Sequence, residues 1–344
     1  MDLGTLIAKV ASRQDLDVEE AEAAFTRIMA GEATPVQIAA LLVGLRTKGH
    51  APTEIAGGVK ALRAAMVPVV DTGAGPLVDT CGTGGGSVTT FNISTAAALV
   101  AAAAGVRVAK HGNRSFTSRS GSADVLEALG VEIQLSPEAM SRVLADAGIV
   151  FMFAPLLHPA MRHVGPVRRE LGIPTIMNLL GPLTNPAGVR RQVVGVSDPA
   201  LRPLISEALR TLGHERALVL HGAPGMDEVS PLGATRISDL EGGVIRDYEV
   251  DPLALGLPLA KVEEIAGGSP EENAARILAV LEGRGPSGAR TVILLNAAAT
   301  LLVAGVVADM AEGVARAADA LDSGRTLGTL SALREASRDH RQSD

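Results

Sequence analysis

The chain has 344 residues, of which 47% are hydrophobic, and a formal net charge of −7. This length allows two domains or lobes, and the apolar content excludes a disordered chain. The acidic balance disfavours nucleic-acid binding, and 2% aromatic residues with no Trp disfavour a base-stacking platform. The single cysteine, Cys81, excludes an intramolecular disulfide. With no basic signal segment near Met1, we expect a cytoplasmic protein without a membrane span.

The first 67 residues carry helix signals only. Thr34-Pro35, for example, is an N-cap followed by proline at the first helical position. The stretch Ile38–Leu45 is apolar on more than one face, which predicts a helix that lies centrally or meets a partner subunit. We expect helices at 3–11, 18–29, 36–48 and 53–66.

From residue 70 onward the pattern changes to strands that alternate with helices, which predicts a mixed, mainly parallel sheet with helices on both faces. We expect strands at 77–79, 106–109, 149–153, 192–196 and 217–220, and weaker ones at 234–237 and 244–250. The helices between them are expected at 95–104, 123–129, 137–147 and 199–212. The apolar stretches 96–104 and 292–307 are predicted to be buried helices, because both are too short for a membrane span.

The segment 159–180 interrupts this alternation. It predicts two short helices, the second opened by Gly165-Pro166 and closed by Gly172. We expect it to return to the N-terminal helical part. The predicted fold is therefore a small all-helical domain, residues 1–68 completed by about 159–185, and a larger α/β domain, residues 69–158 and 186–344.

Two glycine- and hydroxyl-rich loops follow predicted strands and precede predicted helices. The first runs from Gly82 to Thr95 and contains Gly-Thr-Gly-Gly-Gly-Ser. A turn with an N-cap would need fewer such residues, so we favour a phosphate site built from backbone N–H groups and a helix N-terminus. No lysine follows the glycines as in a Walker A loop, and no acid lies about twenty residues on as in a dinucleotide fold.

The second loop, Lys110–Ser122, adds Lys110, Arg114 and Arg119 to several hydroxyls, which suits a diphosphate ligand better than a neutral one. Asp227-Glu228 follows a predicted strand and is a plausible pair of ligands for a hard cation, although such pairs are most often only solvated. Arg168 falls on the apolar side of its helix, where an inward charge needs a partner such as a substrate carboxylate.

Several motifs, in their order along the chain, resemble those of the anthranilate phosphoribosyltransferase family. They are Gly82-Thr-Gly-Gly, Asn92-Ile-Ser-Thr95, Lys110-His-Gly-Asn-Arg114, Gly121-Ser-Ala-Asp-Val-Leu-Glu-Ala-Leu-Gly130, Asn178-Leu-Leu-Gly-Pro-Leu-Thr-Asn-Pro186 and Asp227-Glu228. The resemblance implies transfer of 5-phosphoribosyl from phosphoribosyl diphosphate (PRPP) to the amine of anthranilate. The products are N-(5-phosphoribosyl)anthranilate and diphosphate, in tryptophan biosynthesis. It also implies a helical domain beside an α/β domain, and a homodimer formed through the helical domain.

The same resemblance assigns roles by position. Lys110 and Arg168 are implied as catalytic residues, and Ser94, Asp227 and Glu228 as ligands of Mg²⁺, with two ions per subunit. The residues implied for anthranilate are Gly82, Asn113, Pro155, His158 and Arg168. Those implied for PRPP are Gly82, Gly85, Gly86, Thr90, Asn92, Ile93, Ser94, Thr95, Lys110, His111, Gly112, Asn113, Arg114, Ser115, Phe116, Thr117, Ser118 and Ser122.

One position departs from the family pattern. The family usually has Asp after Gly-Thr-Gly-Gly, whereas this chain has Gly86, followed by Ser87 where glycine is usual. The missing carboxylate would otherwise lie beside a diphosphate and could contact a metal. We therefore expect better tolerance of high Mg²⁺ than in an Asp-bearing relative.

Two alternatives are kept open. A pyrimidine-nucleoside phosphorylase would share the architecture, but it lacks the Lys110–Arg114 run. A non-catalytic, nucleic-acid-binding relative of the family would be expected to show a strong basic face, whereas this chain is acidic overall. We therefore expect small-molecule substrates and no nucleic acid or membrane partner.

Overall fold

Helices alone form the N-terminal part, in a computed structural model that describes residues 2–71, 73–115 and 119–342. Asp17 and Thr34 each cap a helix through a reciprocal capping box, which satisfies backbone N–H groups that the helix itself leaves free. The predicted boundaries are confirmed to within one residue. The four helices are α1 (Leu3–Ala11), α2 (Val18–Met29), α3 (Pro35–Lys48) and α4 (Pro52–Ala65).

The rest of the described chain is built on a seven-stranded sheet in the order β3-β2-β1-β4-β5-β6-β7. Strands β1 to β5 pair in parallel, and β6 and β7 are added antiparallel. The mixed, mainly parallel sheet is confirmed, including the two weaker strands. The strands are β1 (Leu77–Gly82), β2 (Arg107–Gly112), β3 (Ile149–Phe153), β4 (Arg191–Gly195), β5 (Arg216–Gly222), β6 (Thr235–Glu241) and β7 (Val244–Val250).

Helices cover both faces of this sheet. In chain order, the helices before β4 are α5 (Ile93–Ala103), α6 (Ser122–Ala128), α7 (Pro137–Ala147), α8 (Ala154–Leu157), α9 (Met161–Leu171) and α10 (Ile176–Leu180). Those after β4 are α11 (Leu201–Thr211), α12 (Val262–Ile265), α13 (Pro270–Leu281), α14 (Ser287–Ala304), α15 (Met310–Asp322) and α16 (Arg325–Gln342). Because side chains alternate along β4, Val193 packs with α5 and α14 on one face, and Val194 packs with α11 on the other.

Helix α14 is long and apolar enough to cross a membrane by length and composition, and it alone meets that test in the described parts of the chain. Within this fold 89% of it is buried. It contacts α5, α15 and the strands β1, β4 and β5. The prediction of a buried helix here is confirmed, because the sheet and its neighbouring helices cover nearly all its apolar side chains.

The apolar side chains of the segment 164–183 join the same buried cluster as α1 to α4. Val164 and Val167 on α9, and Ile176 and Leu180 on α10, are buried there. This segment therefore packs with the N-terminal helices. The cluster continues onto α11 and one face of the sheet, so an apolar surface joins the helical part to the rest.

The prediction of a helix that begins at Gly165-Pro166 was wrong. Helix α9 already begins at Met161 and runs through Pro166 to Leu171. Proline lacks the N–H that residue 166 would donate to the carbonyl four positions earlier, and its ring crowds that carbonyl, yet the helix continues through it. Its end at Gly172, which has a left-handed conformation, is confirmed.

Candidate functional site

Four parallel strands end in glycine at one edge of the sheet. Gly82 ends β1, Gly112 ends β2, Gly195 ends β4 and Gly222 ends β5. The carboxyl ends of parallel strands are where open α/β sheets bind ligands, and both predicted loops leave the sheet at this edge. The two loops therefore share one face of the molecule.

Three of these glycines make room for the acidic segment of the chain itself. A Cβ at Gly195 would lie 1.6 Å from the carbonyl oxygen of Asp227, and one at Gly82 would lie 2.3 Å from its Oδ2. At Gly222 a Cβ would lie 2.4 Å from the carbonyl oxygen of Glu228. Asp227-Glu228 therefore crosses directly over the strand ends. The close neighbour is the carboxylate of Asp227 at Gly82, and a backbone carbonyl at Gly195 and Gly222.

The first loop is fastened to this acidic pair at two points. The backbone N–H of Gly84 donates to Asp227 Oδ2 at 2.8 Å, and Thr90 Oγ donates to Glu228 Oε1 at 3.3 Å. Gly84 and Gly85 have φ of +73° and +79°, which few other residues adopt without strain. Gly86 lies beside them, and a Cβ there would be 3.3 Å from Asp227 Oδ1.

The two carboxyl groups interact with each other and are half-buried. Burial raises the pKa of Asp227, and burial together with the neighbouring Asp227 charge raises the pKa of Glu228 well above its usual range. A bound cation would relieve both effects. Within the described residues no group of three or more His, Cys, Asp or Glu could hold a metal ion. This pair therefore suits a cation that takes its other oxygen ligands from substrate and water, as Mg²⁺ does.

Lys110, the first residue of the predicted second loop, lies on β2 and reaches the start of α5. Its side chain is buried, and Nζ donates to the carbonyl of Thr80 at 2.7 Å and to Ser94 Oγ at 3.1 Å. Burial lowers its pKa, and the charges of Asp79 and Glu228 act in the opposite direction. The ammonium group of Lys110 therefore lies below the start of α5, where it contacts the hydroxyl of Ser94.

A buried polar cluster under the strand ends was not predicted from the sequence. The carboxylate of Asp79 accepts from Asn185 Nδ2 at 2.9 Å and from Gln192 Nε2 at 3.2 Å. Asn185 also donates to the carbonyl of Ala109, so it ties β1 to β2. An acid inside the short apolar strand Leu77–Asp79 was the available signal, since such a residue is rarely buried without partners.

In the second loop, the guanidinium of Arg114, which was expected to bind a phosphate, is turned toward α6. Arg114 donates to Asp124 and Glu127 on α6, and these hydrogen bonds raise its pKa. The carboxylate of Asp124 also accepts from the N–H of Ser115 at 3.3 Å. In this conformation the Arg114 guanidinium is already neutralised by α6. The predicted residues Phe116, Thr117 and Ser118 lie outside the described residues.

The turn around Asn113 brings the loop back onto α6. Its carbonyl accepts from the N–H of Ala123 at 3.3 Å and from Ser122 Oγ at 3.4 Å. Its side-chain Oδ1 accepts from the N–H of Arg114 at 2.7 Å, so its amide Nδ2 is directed away from that bond. A Cβ at Gly112 would lie 2.2 Å from Ser122 Oγ, which explains glycine at this strand end.

His111 and His158 meet at the edge of the site. Their Nε2 atoms are 3.2 Å apart and their ring centroids 5.0 Å apart. Burial lowers the pKa of His111 to about 3 and that of His158 to about 4, so both rings are neutral near pH 7. One ring therefore donates and the other accepts. Pro155, also predicted to line the site, is exposed on the short helix α8.

Arg168 is half-buried on α9, and burial lowers its pKa. No hydrogen bond or ion pair joins its guanidinium to another residue in the described ranges, whereas its neighbour Arg169 is exposed. A half-buried cation without a partner is open to an anionic ligand. By contrast, the side chains of Ile93 and Thr95, which the resemblance implied for PRPP, are buried at the start of α5.

Two family models and a known enzyme match nearly the whole chain. Residues 5–66 match "Glycosyl transferase family, helical bundle domain", and residues 74–327 match "Glycosyl transferase family, a/b domain". The chain is 51% identical to the anthranilate phosphoribosyltransferase of Methylorubrum extorquens over 330 residues, 96% of this chain and 97% of that protein. This chain belongs to the anthranilate phosphoribosyltransferase family.

Solved structures of the family agree with the fold. The crystal structure of the Thermus thermophilus enzyme is 44% identical, with a TM-score of 0.91 over 97% of this chain and 99% of that one. The Saccharomyces cerevisiae enzyme in complex with PRPP and Mg is 27% identical, with a TM-score of 0.88 over 98% of each chain. The family resemblance and the fold class expected from the sequence are confirmed.

Proposed function

We propose that this protein transfers the 5-phosphoribosyl group of PRPP to the amine of anthranilate. The observation that carries the proposal is Asp227-Glu228, which lies across the strand ends and is fastened to the glycine-rich loop by Gly84 and Thr90. Similarity to anthranilate phosphoribosyltransferases over nearly the whole chain supports the same activity. The reaction belongs to tryptophan biosynthesis.

The donor set fits Mg²⁺. Asp227 and Glu228 present two carboxylates whose pKa values are raised chiefly by burial, so a bound cation would stabilise their ionised forms. Ser94 offers a hydroxyl at the start of α5, where it accepts from Lys110. When bound there, Mg²⁺ would neutralise the diphosphate and make it a better leaving group. We propose all three as ligands, while the count of two ions per subunit stays a prediction.

The remaining steps fall to the chain's own groups. The proposed reaction is displacement at the anomeric carbon of PRPP, in which the leaving diphosphate gains negative charge. Backbone N–H groups of the loop 83–92, the N-terminus of α5 and the buried cation of Lys110 would stabilise that charge from fixed positions. Because these groups are held before substrate arrives, they need little rearrangement during the reaction.

Arg168 and Asn113 are proposed to place anthranilate. The unpartnered guanidinium of Arg168 would bind the carboxylate of anthranilate, while the amide of Asn113 on the second loop would contact anthranilate beside PRPP. The amine of anthranilate is neutral, so its attack needs position rather than a strong base, and two fixed contacts supply that. His158 and Pro155 would line the same side of the pocket.

We also propose a homodimer formed through the helical part. Helix α3 buries Ile38, Leu41, Leu42 and Leu45 within the chain, but Val36 on the same helix is 77% exposed. An apolar side chain left in solvent suits a subunit contact. Sedimentation of the purified protein would test this, and a cytoplasmic location likewise stays a prediction.

The activity is tested by the fluorescence of anthranilate. Adding PRPP and Mg²⁺ to the protein should remove that fluorescence with time, because the amine becomes substituted. Omitting PRPP, omitting Mg²⁺ or adding EDTA should each prevent the loss. A protein that leaves anthranilate unchanged over a range of substrate and Mg²⁺ concentrations would contradict the proposal.

A further inference from the structure

A network of two amides and a hydroxyl joins both loops to the start of α13. Asn273 Nδ2 donates to Asn92 Oδ1 at 3.0 Å, and Ser120 Oγ donates to the same oxygen at 3.1 Å. Asn92 Nδ2 in turn donates to the carbonyl of Ser120 at 3.2 Å. Asn92 belongs to the first loop and Ser120 to the second, so Asn273 holds the point where the two loops meet.

The direction of each amide follows from a backbone group that can only donate. The N–H of Gly268 donates to Asn273 Oδ1 at 2.7 Å, so the other end of that amide is its NH₂ group. That NH₂ group faces Asn92, which must therefore present its oxygen. The Asn92 oxygen accepts two hydrogen bonds, and its own NH₂ group is turned toward the second loop and the open edge of the site.

This orientation leaves Asn92 as a donor toward a ligand. One N–H of its NH₂ group is used by the Ser120 carbonyl, and the other meets no acceptor in the described ranges of the chain. A donor suits the oxygens of a phosphate or diphosphate, whereas the amide oxygen would repel them. Asn273 itself is 2% exposed, so it cannot reach a substrate from its place behind Asn92.

We propose that Asn273 is a positioning residue for PRPP, acting through Asn92. It keeps the Asn92 amide with its N–H toward the diphosphate or ribose and its oxygen away from them. The inference rests on the proposed function and on the proposed contact between Asn92 and PRPP. The alternative is that Asn273 only satisfies the N–H of Gly268, a role that would need its oxygen but not its NH₂ group.

The two roles separate in Asn273→Asp. Aspartate keeps an oxygen for the Gly268 N–H but offers no donor to Asn92, so the Asn92 amide should turn over and present its oxygen to PRPP. We expect the Kd for PRPP, measured by isothermal titration calorimetry with Mg²⁺, and the KM for PRPP both to rise about tenfold or more. The KM for anthranilate should stay within about twofold, because that substrate is placed by other residues.

Three further variants complete the test. Ala275→Asp puts the same charge on the exposed side of α13 and should leave both constants unchanged. Asn273→Ala avoids a buried charge and should give the same selective loss of PRPP affinity if the aspartate variant does not fold. In an Asn92→Ala background, Asn273→Asp should have little additional effect, because the residue through which it acts is already gone.

The outcomes are distinct. A wild-type protein that neither binds PRPP nor uses anthranilate would contradict the proposed function. An active wild type, together with an Asn273→Asp variant whose PRPP constants stay within about twofold, would overturn only the positioning role. An undiminished effect of Asn273→Asp without the Asn92 side chain would also overturn it, because Asn273 would then act by another route.

Discussion

Substituting Gly86 by Asp should make the enzyme sensitive to high Mg²⁺. The Cβ of the new residue would lie 3.3 Å from Asp227 Oδ1 and 3.2 Å from the carbonyl oxygen of Gly225. These distances are tight, but they need only a small adjustment of the loop. The new carboxylate would stand within a few bond lengths of Asp227, on the side where the first loop is proposed to hold the diphosphate.

The size of the effect follows from two like charges at that separation. Two carboxylates about 4 Å apart repel by about 4 kcal/mol at the effective dielectric of a protein surface. A cation between them removes much of this repulsion. Relief of only about 1.4 kcal/mol tightens cation binding tenfold. We therefore expect the Mg²⁺ concentration that half-inhibits Gly86→Asp to be at least about tenfold lower than for the wild type.

The assay is the initial rate of anthranilate fluorescence loss against total Mg²⁺, at fixed PRPP and fixed ionic strength. Gly86→Asn is the matched control, because it has the same size and no charge, and its curve should follow the wild type. Superimposable curves for wild type and Gly86→Asp would refute the reasoning. So would equal inhibition of the Asp and Asn variants, since the cause would then be steric.

The other predictions use single contacts. Arg168→Ala should raise the KM for anthranilate about 30- to 100-fold, with the KM for PRPP little changed. Substituting the exposed Arg169 by Ala should alter neither KM. Equal rises in both KM values for Arg168→Ala would contradict the proposal that Arg168 binds anthranilate. Burial lowers the pKa of His214 from its ordinary value of 6.5 to about 3. The free energy of unfolding therefore decreases as the pH falls below 6.5, by about 2 kcal/mol at pH 5. His214→Leu should therefore raise Tm more at pH 5 than at pH 8, and an equal gain at both would contradict this. Gly195→Ala, whose Cβ would lie 1.6 Å from a carbonyl oxygen, should lower Tm and activity, whereas Gly181→Ala, with nothing within 4 Å, should change neither.

Local signals predicted most of the elements, because they act within a few residues. Asp17 and Thr34 fix helix starts through capping boxes, and β3 at Ile149–Phe153 is a continuous apolar run buried on both faces. The error at Pro166 has the same origin, since proline often begins a helix, whereas here it lies inside one that began a turn earlier, at Met161. Sequence alone cannot distinguish these cases when the preceding turn is also helical.

The site was predicted less completely, because its geometry depends on residues far apart in the chain. The resemblance implied that Gly82 contacts the substrates, whereas a side chain at this position would meet the carboxylate of Asp227. Asn273 carries no motif and lies 181 positions from the Asn92 amide that it orients. A contact between residues so distant leaves no local pattern, so only the folded chain reveals it.

An acidic pair in a site proposed for an anionic substrate needs a physical justification. In this fold the carboxylates of Asp227 and Glu228 are acceptors for the very loop that is proposed to bind the diphosphate, through Gly84 and Thr90. These bonds fix the loop's shape before a ligand arrives, which lowers the ordering cost of binding. Alanine at 227 and 228 would remove both the cation ligands and the acceptors that hold the loop. The same two side chains therefore serve the structure of the loop and its proposed chemistry.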